Sequence, residues 1–234
     1  MCALGRCGAI LIAMHDCLCS YAIIKKTLTG ANHNVMSNTI RAIIWDLDGV
    51  ILDSAEEHRL AWQRLAQDEG IVFTDTDFWA TFGKRNNDII PHYWQVTSAE
   101  QVQALADRKE TLFREFVRET AAFLPGAEEL MRDLHEAGFA QALASSTPVE
   151  NITLISELLG LERYLSALVS GETVAHGKPA PDIFLRAAEV LGIPPAACVV
   201  IEDAVAGVQA AHAAGMRCIS VAGARDLPGL RAAE

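Results

Sequence analysis

Asp46 and Asp48 stand two residues apart, directly after the apolar run Ala42-Ile43-Ile44-Trp45, and Gly49 follows them. A short, apolar, β-rich run reads as a buried strand. Residues i and i+2 of a strand point the same way. The two carboxylates therefore project together from the strand's carboxyl end, where open α/β sheets bind their ligands. Ionised carboxylates this close repel each other. A divalent cation relieves the repulsion, and Mg²⁺ favours oxygen-only sites. Gly49 lets the backbone turn sharply away. Asp-Gly is also a common turn pair, so the stretch alone leaves a plain strand-turn open. A calcium loop of the EF-hand kind fits poorly: the chain runs on from Gly49 into apolar Val50-Ile51-Leu52, and the glycine comes too early.

Three further loops carry chemistry-bearing residues. Ser145-Ser146-Thr147-Pro148 follows an apolar run. Its hydroxyls and the helix N-terminus behind them suit an anion, although helix capping with Pro148 at the first position explains them equally. Gly177-Lys178-Pro179-Ala180-Pro181-Asp182 sets a lysine on a stiffened loop, either to neutralise phosphate charge or simply in solvent. Glu202 and Asp203 end the apolar run Val199-Val200-Ile201. Two acids there are costly unless they meet a metal or cations; Asp203 as a helix N-cap is the plainer alternative.

The elements that must position these loops alternate along the chain. A strand covers 41–45. Ser54 caps a helix with Glu56 and Glu57 in its first turn, which Gly70 stops. Asn86 or Asn87 opens a second helix towards Trp94. A third runs from Ser98 to about Thr120, with Val102, Leu105, Ala106, Leu112, Phe113, Phe116 and Val117 as its apolar stripe. Beyond Leu124-Pro125-Gly126, helices 127–137, 149–159, 181–191 and 204–214 alternate with strands 139–144, 167–170, 198–201 and 216–221. This is the α/β pattern of a parallel sheet with helices on both faces. Residues 37–53 and 124–234 are thus expected to form a Rossmann-like core, and 54–123 a small all-helical cap. Residues 1–36 read as an N-terminal extension outside the fold.

The chain has 234 residues, 51% of them hydrophobic, which suffices for a core with a small second domain. Its net charge of −11 argues against nucleic acid as a partner. A phosphorylated substrate must then be attracted by local cations and metal. No run is long enough to span a membrane, and the apolar Ala9–Met14 stretch is a weak signal peptide. A cytoplasmic, reduced, monomeric protein is expected. Cys17-Leu18-Cys19 lacks the spacing of a zinc knuckle, and Cys198 and Cys218 read as core residues.

Taken in order, the four loops resemble the four motifs of the haloacid dehalogenase-like hydrolases: Asp-x-Asp, Ser/Thr, Lys and an acidic pair. The resemblance covers about residues 41–223. Ile51-Leu52-Asp53-Ser54 and Gly177-Lys178-Pro179-Ala180-Pro181-Asp182-Ile183-Phe184 are most similar to β-phosphoglucomutases and small sugar-phosphate phosphatases. The resemblance implies that Asp46 is a nucleophile forming an aspartyl-phosphate and that Asp48 is the general acid/base. It implies that Ser145 binds phosphoryl oxygens and Lys178 offsets their charge. Mg²⁺ would be held by Asp46, the backbone carbonyl of Asp48 and Asp203, with Glu202 either behind these ligands or acting through water. Asp48 argues against dehalogenation, because a halide leaves without a proton. Ser146, His58 and the cap stretch Gly83-Lys84-Arg85 are candidate substrate contacts. The mutases carry an arginine three residues after the matching glycine. Here that position is Asn86 and the arginine comes one residue earlier. A small phosphorylated metabolite is expected as substrate, with a phosphatase as the first reading and a phosphosugar mutase or an inactive binding protein as rivals.

Overall fold

The computed structural model describes residues 9–13, 40–82 and 84–222. Strands β1 (Ala9–Ala13), β2 (Ala42–Trp45), β3 (Ala140–Ser145), β4 (Ala167–Ser170), β5 (Cys198–Glu202) and β6 (Arg217–Ala222) form one sheet in the order β1-β6-β5-β2-β3-β4. Every pairing is parallel. Helices α1 (Ala55–Asp68), α2 (Asp75–Thr81), α3 (Asn86–Trp94) and α4 (Ala99–Thr120) lie between β2 and β3. They are followed by α5 (Ala127–Glu136), α6 (Val149–Leu159), α7 (Asp182–Leu191) and α8 (Val205–Ala213).

The apolar run of β2 reflects burial on both faces, as parallel sheets require. Ile43 and Trp45 join the layer formed with α5, α6 and the end of α4. Ala42 and Ile44 point the other way, into the layer with α7 and α8. One buried polar chain crosses the first layer: Trp45 Nε1 donates to Gln141 Oε1 at 2.9 Å, and Gln141 Nε2 donates to the Met131 carbonyl at 2.8 Å. Cys198 and Cys218 are buried in the second layer, as expected.

The helical insertion has a core of its own, built on Trp62, Leu65, Phe73, Phe78, Ile90 and Trp94. Helix α2 is an addition to the expected elements. It is fixed by a capping box in which Thr74 Oγ1 accepts from the Asp77 amide and Asp77 accepts from the Thr74 amide. The two junctions of the insertion run side by side. Leu52 bridges to Phe123, and the Leu124 amide donates to the Ile51 carbonyl at 2.7 Å.

One expectation is corrected. Ala9–Ala13, assigned to an extension outside the fold, pairs along β6 from Ala9↔Cys218 to Ala13↔Ala222. The physical reason is the open edge of β6, whose backbone groups an apolar strand can satisfy. Residues 1–8 and 14–39, with Cys17 and Cys19, lie outside the described residues. Among the described residues no helix is long and apolar enough to cross a membrane.

Candidate active site

Asp46 is the first residue beyond β2, and its amide still pairs with the Ile201 carbonyl of β5 at 2.9 Å. Its buried carboxylate meets Lys178, whose Nζ donates to Asp46 Oδ1 at 2.5 Å and to Glu202 Oε1 at 2.6 Å. Lys178 arrives from the loop after β4, on a peptide bond that is cis to Pro179. The second oxygen of Glu202 accepts from the Ala204 amide, 2.7 Å away, at the start of α8. Asp46, Glu202 and Asp203 each offer a carboxylate oxygen within 4.8 Å of the others. Gly49 permits this cluster twice over. It holds φ +80°, and a Cβ there would come 2.0 Å from Asp203 Oδ2.

The electrostatics are those of too many buried acids. Burial pushes the Asp46 carboxyl up to about 7; Lys178 opposes the shift, and Glu202 and Asp48 add to it. Burial, with the charges of Glu202 and Asp46, also raises Asp203 well above the usual carboxylate range. Burial works against the Lys178 charge, but Asp46 and Glu202 outweigh it and raise its pKa. Buried Asp46 and Glu202 share one ammonium, with half-buried Asp203 beside them, and the three carboxylates together form an oxygen donor set that fits a hard divalent cation.

Asp48 turns aside from that cluster. The Ser54 hydroxyl donates to its Oδ1, and Thr147 Oγ1 donates to its Oδ2 at 2.9 Å. Ser54 thus occupies the N-cap position of α1 without capping it; the nearby Asp48 carboxylate is the stronger acceptor. Ser145 is buried, and its Oγ accepts from the Thr147 amide at 3.2 Å, which leaves its proton to donate. Ser146 stands partly exposed on the same loop.

The cap delivers His58 to the site. Its Nε2 lies 3.9 Å from Asp48 Oδ1, and its ring stacks on Phe113 with centroids 4.0 Å apart. Lys109 Nζ sits 2.8 Å from His58 Nδ1. An ammonium has no lone pair, so Nδ1 accepts and the imidazole hydrogen sits on Nε2, facing Asp48. Burial and the Lys109 charge push the His58 pKa down to about 4, which keeps the ring neutral. Lys109 is itself buried and bonds Glu110 at 2.9 Å. Glu110 also accepts from Asn86 at 2.7 Å and, across the cap boundary, from Asn151 of α6 at 2.6 Å. Burial works against the Glu110 charge, but Lys109 prevails and lowers its pKa to about 2.

Of the cap stretch, Arg85 reaches the core. Its guanidinium lies so close over Gly177 that a Cβ there would fall 2.2 Å from Nη2. That Nη2 is buried without a hydrogen-bond partner among the described residues. Lys84 is exposed and makes none of these contacts. Gly83 lies outside the described residues. Sequence reasoning passed over Ser54 and Thr147 as ligands of Asp48, and over Lys109 and Glu110. Lys109 carried a signal, since it falls on the apolar stripe of α4 between Leu105 and Phe113.

A parallel α/β sheet with an acid cluster at its carboxyl edge and a helical cap inserted after its first catalytic loop defines a class of capped hydrolases. The family model for haloacid dehalogenase-like hydrolases matches residues 40–215, and the chain belongs to that family. It is 34% identical over 190 residues to a β-phosphoglucomutase of Bacillus subtilis (strain 168), covering 78% of this chain and 83% of that one. It is 33% identical over 180 residues to the fructose-1-phosphate phosphatase YqaB of Escherichia coli (strain K12), covering 76% and 95%. The structure of CbbY from Rhodobacter sphaeroides in complex with xylulose-(1,5)bisphosphate superposes with a TM-score of 0.72 at 25% identity, covering 79% and 87%. A longer relative, the chloroplastic SUPPRESSOR OF QUENCHING 1 of Arabidopsis thaliana, is 36% identical over 190 residues, and the match spans 18% of its length.

Proposed function

We propose that this chain is a Mg²⁺-dependent phosphatase of small phosphorylated metabolites, sugar phosphates first among them, acting through an aspartyl-phosphate on Asp46. The observation that carries the reading is the contact set Asp46–Lys178–Glu202 beside Asp203, with Asp48 held next to it by two hydroxyls. Asp46 attacks phosphorus as a carboxylate nucleophile. Asp48 protonates the leaving oxygen and later takes a proton from the attacking water. Lys178 and the Ser145 hydroxyl offset the charge of the phosphoryl oxygens, the main catalytic demand of phosphoryl transfer. Asp46, Asp203 and the Asp48 carbonyl, with Glu202 behind them, would hold Mg²⁺, which would supply further positive charge to that group. The substrate named for the Escherichia coli relative supports a sugar monophosphate.

A second reading, phosphoryl transfer between sugar hydroxyls, is favoured by one observation. Arg85 Nη2, buried at the cap–core boundary with no hydrogen-bond partner among the described residues, suits a second anionic group on the substrate. The test is phosphate release from a panel of sugar and small-acid phosphates with Mg²⁺, beside Asp46→Asn. Release that the variant lacks supports the phosphatase. Isomerised sugar phosphate without release supports the mutase. Turnover retained in Asp46→Asn refutes both.

A further inference from the structure

We propose that Thr147, which is not one of the four motif residues, is a positioning residue that sets the Asp48 carboxylate for proton transfer. The inference rests on the phosphatase reading above.

Strands β2 and β3 are neighbours, in register at Trp45↔Leu143. Asp48 lies three residues beyond Trp45, and Thr147 four beyond Leu143, so the two loops leave the sheet together. Thr147 Oγ1 meets Asp48 Oδ2 at 2.9 Å, and Thr147 is only 8% exposed. Its backbone is held on both sides. The amide donates to Ser145 Oγ at 3.2 Å, and the carbonyl accepts from Ser170 Oγ of β4 at 2.8 Å. The hydroxyl is therefore delivered from a fixed frame made by two strands. Ser54 holds the other oxygen of Asp48, from the first residues after the cap junction. With one hydroxyl on each oxygen, the plane of the carboxylate is set. Without Thr147 it pivots on Ser54 alone, and small misplacements of a catalytic group cost large factors in rate.

Asp48 acts twice in the cycle. In the first step the Asp46 oxygen–phosphorus bond forms while the ester phosphorus–oxygen bond breaks. The leaving oxygen takes the proton carried by Asp48. In the second step water bonds to phosphorus, its proton returns to Asp48, and the Asp46 oxygen–phosphorus bond breaks to release phosphate. A leaving group that departs as a stable anion needs no proton in the first step. That difference separates a positioning role from a structural one.

The experiment uses the full chain with Mg²⁺, as wild type, Thr147→Val and Thr147→Ser, on the best alkyl ester of the panel and on para-nitrophenyl phosphate. For Thr147→Val the expected result is an alkyl-ester kcat lower by about 10–100-fold, part of the usual contribution of a general acid/base. KM should stay within about threefold and the nitrophenolate burst should persist, because phosphorylation of Asp46 by that ester bypasses Asp48. Thr147→Ser should restore most of kcat. Unchanged or faster alkyl-ester turnover in Thr147→Val overturns the proposal. So does a parallel loss of burst and turnover, or a serine variant that behaves like valine. A wild type without Asp46-dependent release from either ester removes the phosphatase reading, and this proposal with it, before any Thr147 variant is compared.

Discussion

Thermal unfolding with and without Mg²⁺, at pH 8 and at pH 5, tests the acid cluster without relying on activity. The Asp46 carboxyl is raised from 3.8 to about 7 by burial and its acidic neighbours. A raised folded-state pKa means that the proton is held more tightly in the folded chain. The stability it confers is present below about pH 4 and is lost as the pH rises through 7. Three pKa units correspond to about 4 kcal/mol. A cation that needs the ionised carboxylate therefore finds the site ready at pH 8. At pH 5 it finds about one site in a hundred deprotonated, and its apparent affinity falls by about 100-fold. Mg²⁺ at 100 times its dissociation constant at pH 8 adds about 2.7 kcal/mol, or about 5–11 °C in Tm for a domain of this size. The same concentration at pH 5 adds about 0.4 kcal/mol, or about 1 °C. Differential scanning fluorimetry reads both. An equal shift at the two pH values, or a shift that survives Asp203→Asn, would refute the reasoning.

Three other outcomes follow from the contacts. Arg85→Ala should raise KM by about tenfold with kcat little changed, the loss of one charged hydrogen bond; unchanged KM across the substrate panel would dismiss Arg85. Lys109→Met leaves the Glu110 carboxylate buried with only its two amide donors, and should cost about 3 kcal/mol in urea unfolding. Gly49→Ala drives a methyl group onto Asp203 at positive φ. It should lower stability by about 1–3 kcal/mol and abolish the Mg²⁺-linked rise in Tm, both readable in the same melts.

The loops that meet at the candidate site were legible because each polar residue ends an apolar strand, and sequence alone reports that abrupt change of environment. Asp46, Ser145 and Glu202 are of this kind. Residues whose partners come from a distant element were not. Thr147 finds Asp48 only because β3 lies beside β2. Lys109 finds His58, and Glu110 finds Asn86 and Asn151, only because α1, α3 and α6 converge on α4. Ser54 was assigned its most frequent local role, and a stronger acceptor six residues upstream claimed it. Helix α2 was missed because seven residues give too little periodicity, although Thr74 and Asp77 spell its capping box. The pairing of β1 depended on an open edge supplied by β6, more than 200 residues later in the chain.

The paired junctions at Leu52 and Phe123 bear on how such a protein diversifies. An insertion whose two ends meet leaves the flanking strands where they would be without it, so lengthening or exchanging it adds little closure entropy. On the phosphatase reading proposed above, substrate selection by the cap and phosphoryl transfer in the core would be encoded in physically separable parts of one gene. On that reading a change in the cap, such as an arginine one position from where the mutases carry theirs, would leave the reacting part intact.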